Sequence, residues 1–200
     1  MASRFLALGD SYTIGEGVAP EERWPERLAA RLREEGFGLA PPEIVAVTGW
    51  TTDELSAGID AADPQGPYAL VSLLIGVNNQ YRRRDVESYR AEFCALLRRA
   101  VGLAGDEAGR VLVVSIPDWG GTPFASGDDR SAAQITAELD AYNAVARAEA
   151  GAAGARFVDV TPLSRTDDPA LVAADGLHPS GAQYAAWTDR LLPAARAALR

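Results

Sequence analysis

His178 is the only histidine in the 200 residues of this chain, so any chemistry that needs an imidazole base must use it. Three residues earlier stands Asp175, in Asp175-Gly176-Leu177-His178-Pro179. A tight turn at Gly176 would let the carboxylate reach Nδ1 of the ring, fix its tautomer and leave Nε2 to take a proton from a hydroxyl. The candidate hydroxyl is that of Ser11. Phe5 to Leu8 reads as a short buried strand, Gly9 breaks it, and Asp10-Ser11 falls on the turn past its carboxyl end. In open α/β sheets that edge is where ligands sit. A strand followed by Gly-Asp-Ser is also an ordinary turn, and short motifs carry many false positives. The histidine with its aspartate, expected on the same edge, is what lends Ser11 weight as a nucleophile.

Acyl transfer also needs donors for the developing oxyanion. Two further loops offer them. Thr48-Gly49-Trp50 follows a second expected strand, and glycine there lets a backbone N–H approach a substrate closely. Ile75-Gly76-Val77-Asn78-Asn79-Gln80 follows a third and brings the Asn78 side-chain amide to the same rim. Asp10, beside the serine but outside the histidine loop, reads as a brace for the turn. Candidate pocket residues are Trp50, Tyr81, Trp119 and Phe124. The last two lie in the long loop Pro117–Arg130, which reads equally as a pocket wall or mobile flap and as an aromatic latch on the core. The run Arg82-Arg83-Arg84 suits either an anionic substrate group or a solvated helix start.

The elements that must position these residues alternate along the chain. Trp24–Glu35, Thr52–Ala62, Asp85–Leu103, Ser131–Ala150 and Ser180–Leu199 show helical apolar spacing, the last interrupted near Pro193. A cap near Thr51-Thr52 and a stop at Gly36 fit the first two. Between them, 44–48, 68–75, 110–116 and 156–160 read as strands, 68–75 apolar nearly throughout. Alternating strands and helices imply a parallel five-stranded sheet with helices on both faces, and the simplest doubly wound order is 2-1-3-4-5. No repeat, linker or low-complexity tract divides the chain, so residues 1–200 read as one domain.

Composition narrows the partners. A net charge of −9 argues against nucleic acid or an anionic membrane surface, both of which need a basic face. All basic residues besides His178 are arginine, which reads as compositional bias. The single Cys94 allows no internal disulfide and reads as core filler. No run reaches transmembrane length and no apolar leader opens the chain, so the expectation is a cytoplasmic protein, with secretion after leader removal left open. Nothing indicates a metal or cofactor, and the oligomeric state is not encoded legibly.

Taken in order, Gly9-Asp10-Ser11-Tyr12, Gly49, Gly76-Val77-Asn78 and Asp175-Gly176-Leu177-His178-Pro179 resemble the four blocks of the SGNH hydrolases, the GDSL esterase/lipase superfamily. The set spans nearly the whole chain. Tyr12 stands where the family name has Leu, and Asn79 where Asp often follows the block's Asn. The resemblance implies a flavodoxin-like three-layer α/β/α fold and metal-free hydrolysis of small acyl esters. It implies Ser11, Asp175 and His178 as catalytic residues, and Ser11, Gly49 and Asn78 as the oxyanion hole. Short acyl esters are the expected substrates. A carbohydrate O-deacetylase, a thioesterase and a lysophospholipase are alternatives on the same fold, and a non-catalytic flavodoxin-like binding protein is the rival outside it.

Overall fold

The computed structural model describes residues 3–200; Met1 and Ala2, the first residues of the expected domain, lie outside the described residues. Five parallel strands form one sheet: β1 (Phe5–Gly9), β2 (Glu43–Ala46), β3 (Leu70–Leu74), β4 (Val111–Val114) and β5 (Arg156–Val158). Their order is β2-β1-β3-β4-β5, as expected. β1 and β3 are buried at every residue because helices cover both faces of the central strands. β2 is the edge, and there Glu43 faces solvent and pairs with Arg4.

The long helices are α2 (Trp24–Glu34), α3 (Thr52–Ala62), α5 (Val86–Leu103), α6 (Ala132–Ala153) and α7 (Gly181–Ala198). Two short ones, α1 (Ser11–Ile14) and α4 (Val77–Tyr81), follow β1 and β3 directly. α2 packs on α7 against one face of the sheet, while α3, α5 and α6 follow one another along the other. Right-handed crossovers require this division, because the chain reverses direction across the sheet after β2. Starts are written locally: Asp85 accepts from the Glu87 and Ser88 N–H groups, and Ser131 caps α6 with Gln134 closing the box. At α3, Glu54 Oε2 accepts the Thr51 N–H at 2.8 Å.

Two expectations need correction. α7 is not interrupted: it runs through Pro193, which lies on the solvent side, so the carbonyl its missing N–H releases can be met by water. Leu191, Leu192 and Ala195 keep the inner face packed on both sides of the proline. β4 and β5 also stop short of residues 116 and 160. There Asn143 takes over both backbone groups of Ile116, at 2.8 and 2.9 Å, and Ser115 Oγ accepts the Val160 N–H at 2.8 Å. Side chains from α6 and from Ser115, just past β4, thus replace the ladder. Among the described residues, no helix is long and apolar enough to cross a membrane.

Candidate active site

Ser11 opens α1 one residue beyond Asp10, which is the helix N-cap in extended conformation. Asp10 Oδ1 accepts the Tyr12 N–H at 3.1 Å, the bracing role expected of it. The turn folds α1 tightly back on the sheet. A Cβ on Gly9 would lie 2.1 Å from Thr13 Oγ1 and 2.5 Å from the Leu74 carbonyl oxygen, so no other residue fits there. Trp24 pins α1 from α2 by donating Nε1–H to the Tyr12 carbonyl at 3.1 Å. Asp10 itself is fully buried, and its Oδ2 has no hydrogen-bond partner among the described residues. Burial pushes its carboxyl up to about 7, against the smaller downward pull of the Tyr12 N–H.

The histidine loop lies before α7. Asp175 Oδ2 sits 2.6 Å from His178 Nδ1, and Oδ1 accepts the Leu177 and His178 N–H groups at 2.9 and 3.0 Å. Burial pushes the Asp175 carboxyl up, but these bonds from the ring and the two amides outweigh it and hold the group below its ordinary range. A carboxylate on Nδ1 favours the tautomer with its proton there, which leaves Nε2 able to accept one. The loop is stitched in place by Ala173 N–H to the His178 carbonyl (2.7 Å) and Ser180 N–H to the Leu171 carbonyl (2.9 Å). Tyr12 packs edge-on to the imidazole, with ring centroids 5.6 Å apart.

Ser11 and His178 line one cavity of about 130 Å³. Gly49, in the loop after β2, lines it too, with φ +88°, a backbone conformation that disfavours any side chain. Neither the Ser11 nor the Gly49 N–H is spent on another described residue. Asn78, at the start of α4, donates one Nδ2–H to the Trp50 carbonyl at 2.9 Å and keeps the other. Asn79 carries the bracing that Asp often supplies in the family: its Oδ1 accepts the Thr52 N–H at 3.1 Å and its amide donates to Thr52 Oγ1 at 2.6 Å.

Of the expected pocket residues, Tyr81, Trp119 and Phe124 line the cavity and Trp50 does not. The Trp50 ring lies over Gly58 in α3, where an added Cβ would come within 2.1 Å of it. The Pro117–Arg130 loop is both wall and latch. Trp119 is buried, donates Nε1–H to Gln80 Oε1 at 2.9 Å, and meets Tyr81 and Phe124 with centroids 5.6 and 6.0 Å away. Arg130 closes the loop on Asp128, Glu138 and the Gln80 carbonyl. The arginine run is spent on neighbours: Arg82 on Glu54 and the Gly49 carbonyl, Arg83 on Asp129, Arg84 on Asp53. Tyr12, Thr48, Val77 and Leu177 complete the lining and were not anticipated, though each adjoins an anticipated residue. Among the described residues, no three His, Cys, Asp or Glu side chains are grouped to hold a metal ion.

A three-layer sheet with a serine, a carboxylate-held histidine and a loop amide on one edge has the layout of an SGNH-type hydrolase. Residues 7–186 match the GDSL-like lipase/acylhydrolase family, and the chain belongs to that family. No curated protein matches it in sequence. Among solved structures it is similar to TesA (TM-score 0.75, 20% identity, 98% of this chain and 99% of that one covered). It is similar to the psychrotrophic esterase EstA from Pseudoalteromonas sp. (0.74, 16%, 97% and 97%). An acetylxylan esterase from Geobacillus stearothermophilus is a third (0.70, 20%, 96% and 94%). At these identities the likeness is one of fold.

Proposed function

We propose that this protein hydrolyses carboxylic esters of short acyl chains through an acyl-enzyme on Ser11. The observation that carries the reading is the meeting of Ser11 and the Asp175-held His178 on one small, mostly apolar cavity. Ser11 Oγ attacks the acyl carbon as its proton passes to His178 Nε2, and Asp175 stabilises the imidazolium so formed. The Ser11 and Gly49 N–H groups and the remaining Asn78 amide N–H meet the charge that develops on the carbonyl oxygen. Collapse expels the alcohol, which takes its proton from His178. Water then attacks the acyl-Ser11 bond by the same path and releases the acid.

Cavity size supports the acyl preference. About 130 Å³ is close to the roughly 150 Å³ engineered cavity that holds benzene, room for about six heavy atoms. Labelling with a fluorophosphonate tests the proposal: folded wild type reacts and Ser11→Ala does not. Folded wild type that stays unlabelled would favour a non-catalytic binding protein.

A further inference from the structure

The described residues leave three large apolar side chains exposed, Val47 (45%), Tyr81 (45%) and Phe124 (41%), and two of them, Tyr81 and Phe124, stand at the candidate site. Tyr81 and Phe124 line the cavity, and Val47 immediately precedes Thr48, which does so too. The two exposed rings are 6.1 Å apart, tilted by 47°, and each leans on buried Trp119. An apolar cluster confined to a site's rim marks a surface made to be covered.

Position says which part of the substrate covers it. Phe124 is tied to the histidine loop, because its N–H donates to the Gly176 carbonyl at 3.0 Å. Pro123 packs against the same Gly176, 3.3 Å from where a Cβ would stand. In the reaction above, His178 hands its proton to the leaving oxygen, so the alcohol departs along this loop, past Leu177 and Phe124. The polar side chains at the mouth already have protein partners. The Thr48 hydroxyl donates to Glu16 at 2.5 Å, the Asn78 amide holds the Trp50 carbonyl, and Arg82 is taken by Glu54 and the Gly49 carbonyl. A sugar's hydroxyls would lose water against the Tyr81 and Phe124 rings without a partner from either ring face, which is costly.

We infer that the alcohol half of the substrate is apolar and carries a ring of about benzyl size, seated on Phe124 and Tyr81. This rests on the ester-hydrolase reading of the same site. The test compares benzyl acetate with 2-methoxyethyl acetate, whose alcohols leave with similar ease, and with an acetylated xylo-oligosaccharide. Wild type should favour benzyl acetate over the methoxyethyl ester by about tenfold or more in kcat/KM, the scale of a ring contact plus its buried area. Phe124→Ser should cut that preference to within about twofold, chiefly by raising KM for the benzyl ester, because the contact is uniform binding. Phe124→Leu should keep part of it. A wild-type ratio near one, a ratio unmoved in Phe124→Ser, or faster turnover of the xylo-oligosaccharide overturns the inference alone. No turnover of any acetate, together with Ser11 unlabelled by fluorophosphonate, overturns the ester reading and this with it.

Discussion

Asp10 should make the fold less stable as the solution becomes less acidic, which is the reverse of what most carboxylates do. Its carboxyl is fully buried, with Oδ1 on the Tyr12 N–H and Oδ2 on no described residue, and burial pushes it from 3.8 up to about 7. Between those values the native protein holds a proton that the unfolded chain has released. Stability therefore falls as pH rises from about 4 to 7 and levels off above, where both states are ionised. About three pH units at roughly 1.4 kcal/mol each give a loss of about 4 kcal/mol. Asp10→Asn keeps the size and the acceptor for Tyr12 but has no proton to lose. Urea unfolding of both proteins from pH 4 to 8 isolates the effect, because other titrating groups contribute alike to each. The stability of Asp10→Asn relative to wild type should rise by about 4 kcal/mol across that window, whatever the substitution costs at pH 4. Parallel profiles would mean that Asp10 titrates as an exposed carboxylate does. A gap opening toward acid would mean that the charge at the start of α1 is favourable, and the burial argument would fail.

Asn78→Ala removes one of the three proposed oxyanion donors and the tether on the Trp50 carbonyl; kcat should fall roughly 10²- to 10³-fold with the fold kept, and an unchanged kcat removes Asn78 from the role. Ser11→Ala and His178→Ala should each cost about 10⁶ in kcat and Asp175→Asn about 10⁴, with steady-state kinetics in the reverse order counting against the triad. Hydrogen bonds hold Asp175 below the ordinary carboxylate range, so it stays ionised throughout pH 5 to 8. The factor lost in Asp175→Asn should therefore be the same across that window, and a loss confined to its acid or alkaline end would mean that Asp175 titrates there. Trp119→Ala opens the back of the cavity and should lengthen the preferred acyl chain in a p-nitrophenyl ester series, at about 3–5 kcal/mol of stability. An unaltered chain-length profile would mean that Trp119 does not bound the acyl group.

What could be read from the chain follows from how each feature is written. β1 and β3 are legible because strands covered on both faces are continuous apolar runs. α3 is legible because Thr51, Glu54 and its apolar face agree. α1 and α4 are not: at four and five residues they are too short for a 3.6-residue period to show, and only α1 carries a side-chain cap, from Asp10. The Asp175–His178 pairing is local and therefore visible, whereas its sharing of one cavity with Ser11 depends on strand order. Aromatic neighbours of the motifs were the hardest to place. Tyr12 and Trp50 each adjoin a block residue, yet one lines the cavity and the other packs on Gly58, since the direction of a loop side chain is decided by what it can bury against.

The short helix α4 and the arginine after it give the clearest case of one segment serving several parts of the site. Asn78 holds the Trp50 carbonyl, Asn79 the Thr52 N–H, and Arg82 the Gly49 carbonyl, so three side chains of one turn anchor the loop that presents the Gly49 N–H. Gln80, between them, faces the other way: it accepts from Trp119 Nε1 and donates to Glu138 at 2.6 Å, which Arg130 also grips. The Gly49 loop and the aromatic wall are thus fastened to opposite sides of the same five residues. Gln80 is buried, so removing its amide strands the Trp119 indole N–H without touching Asn78, while Glu138 keeps Arg130. The two fastenings separate in kinetics. Loss of the Asn78 side should fall on kcat, because the oxyanion exists only in the transition state, whereas loss of the Gln80 side should fall on acyl selectivity through the position of Trp119.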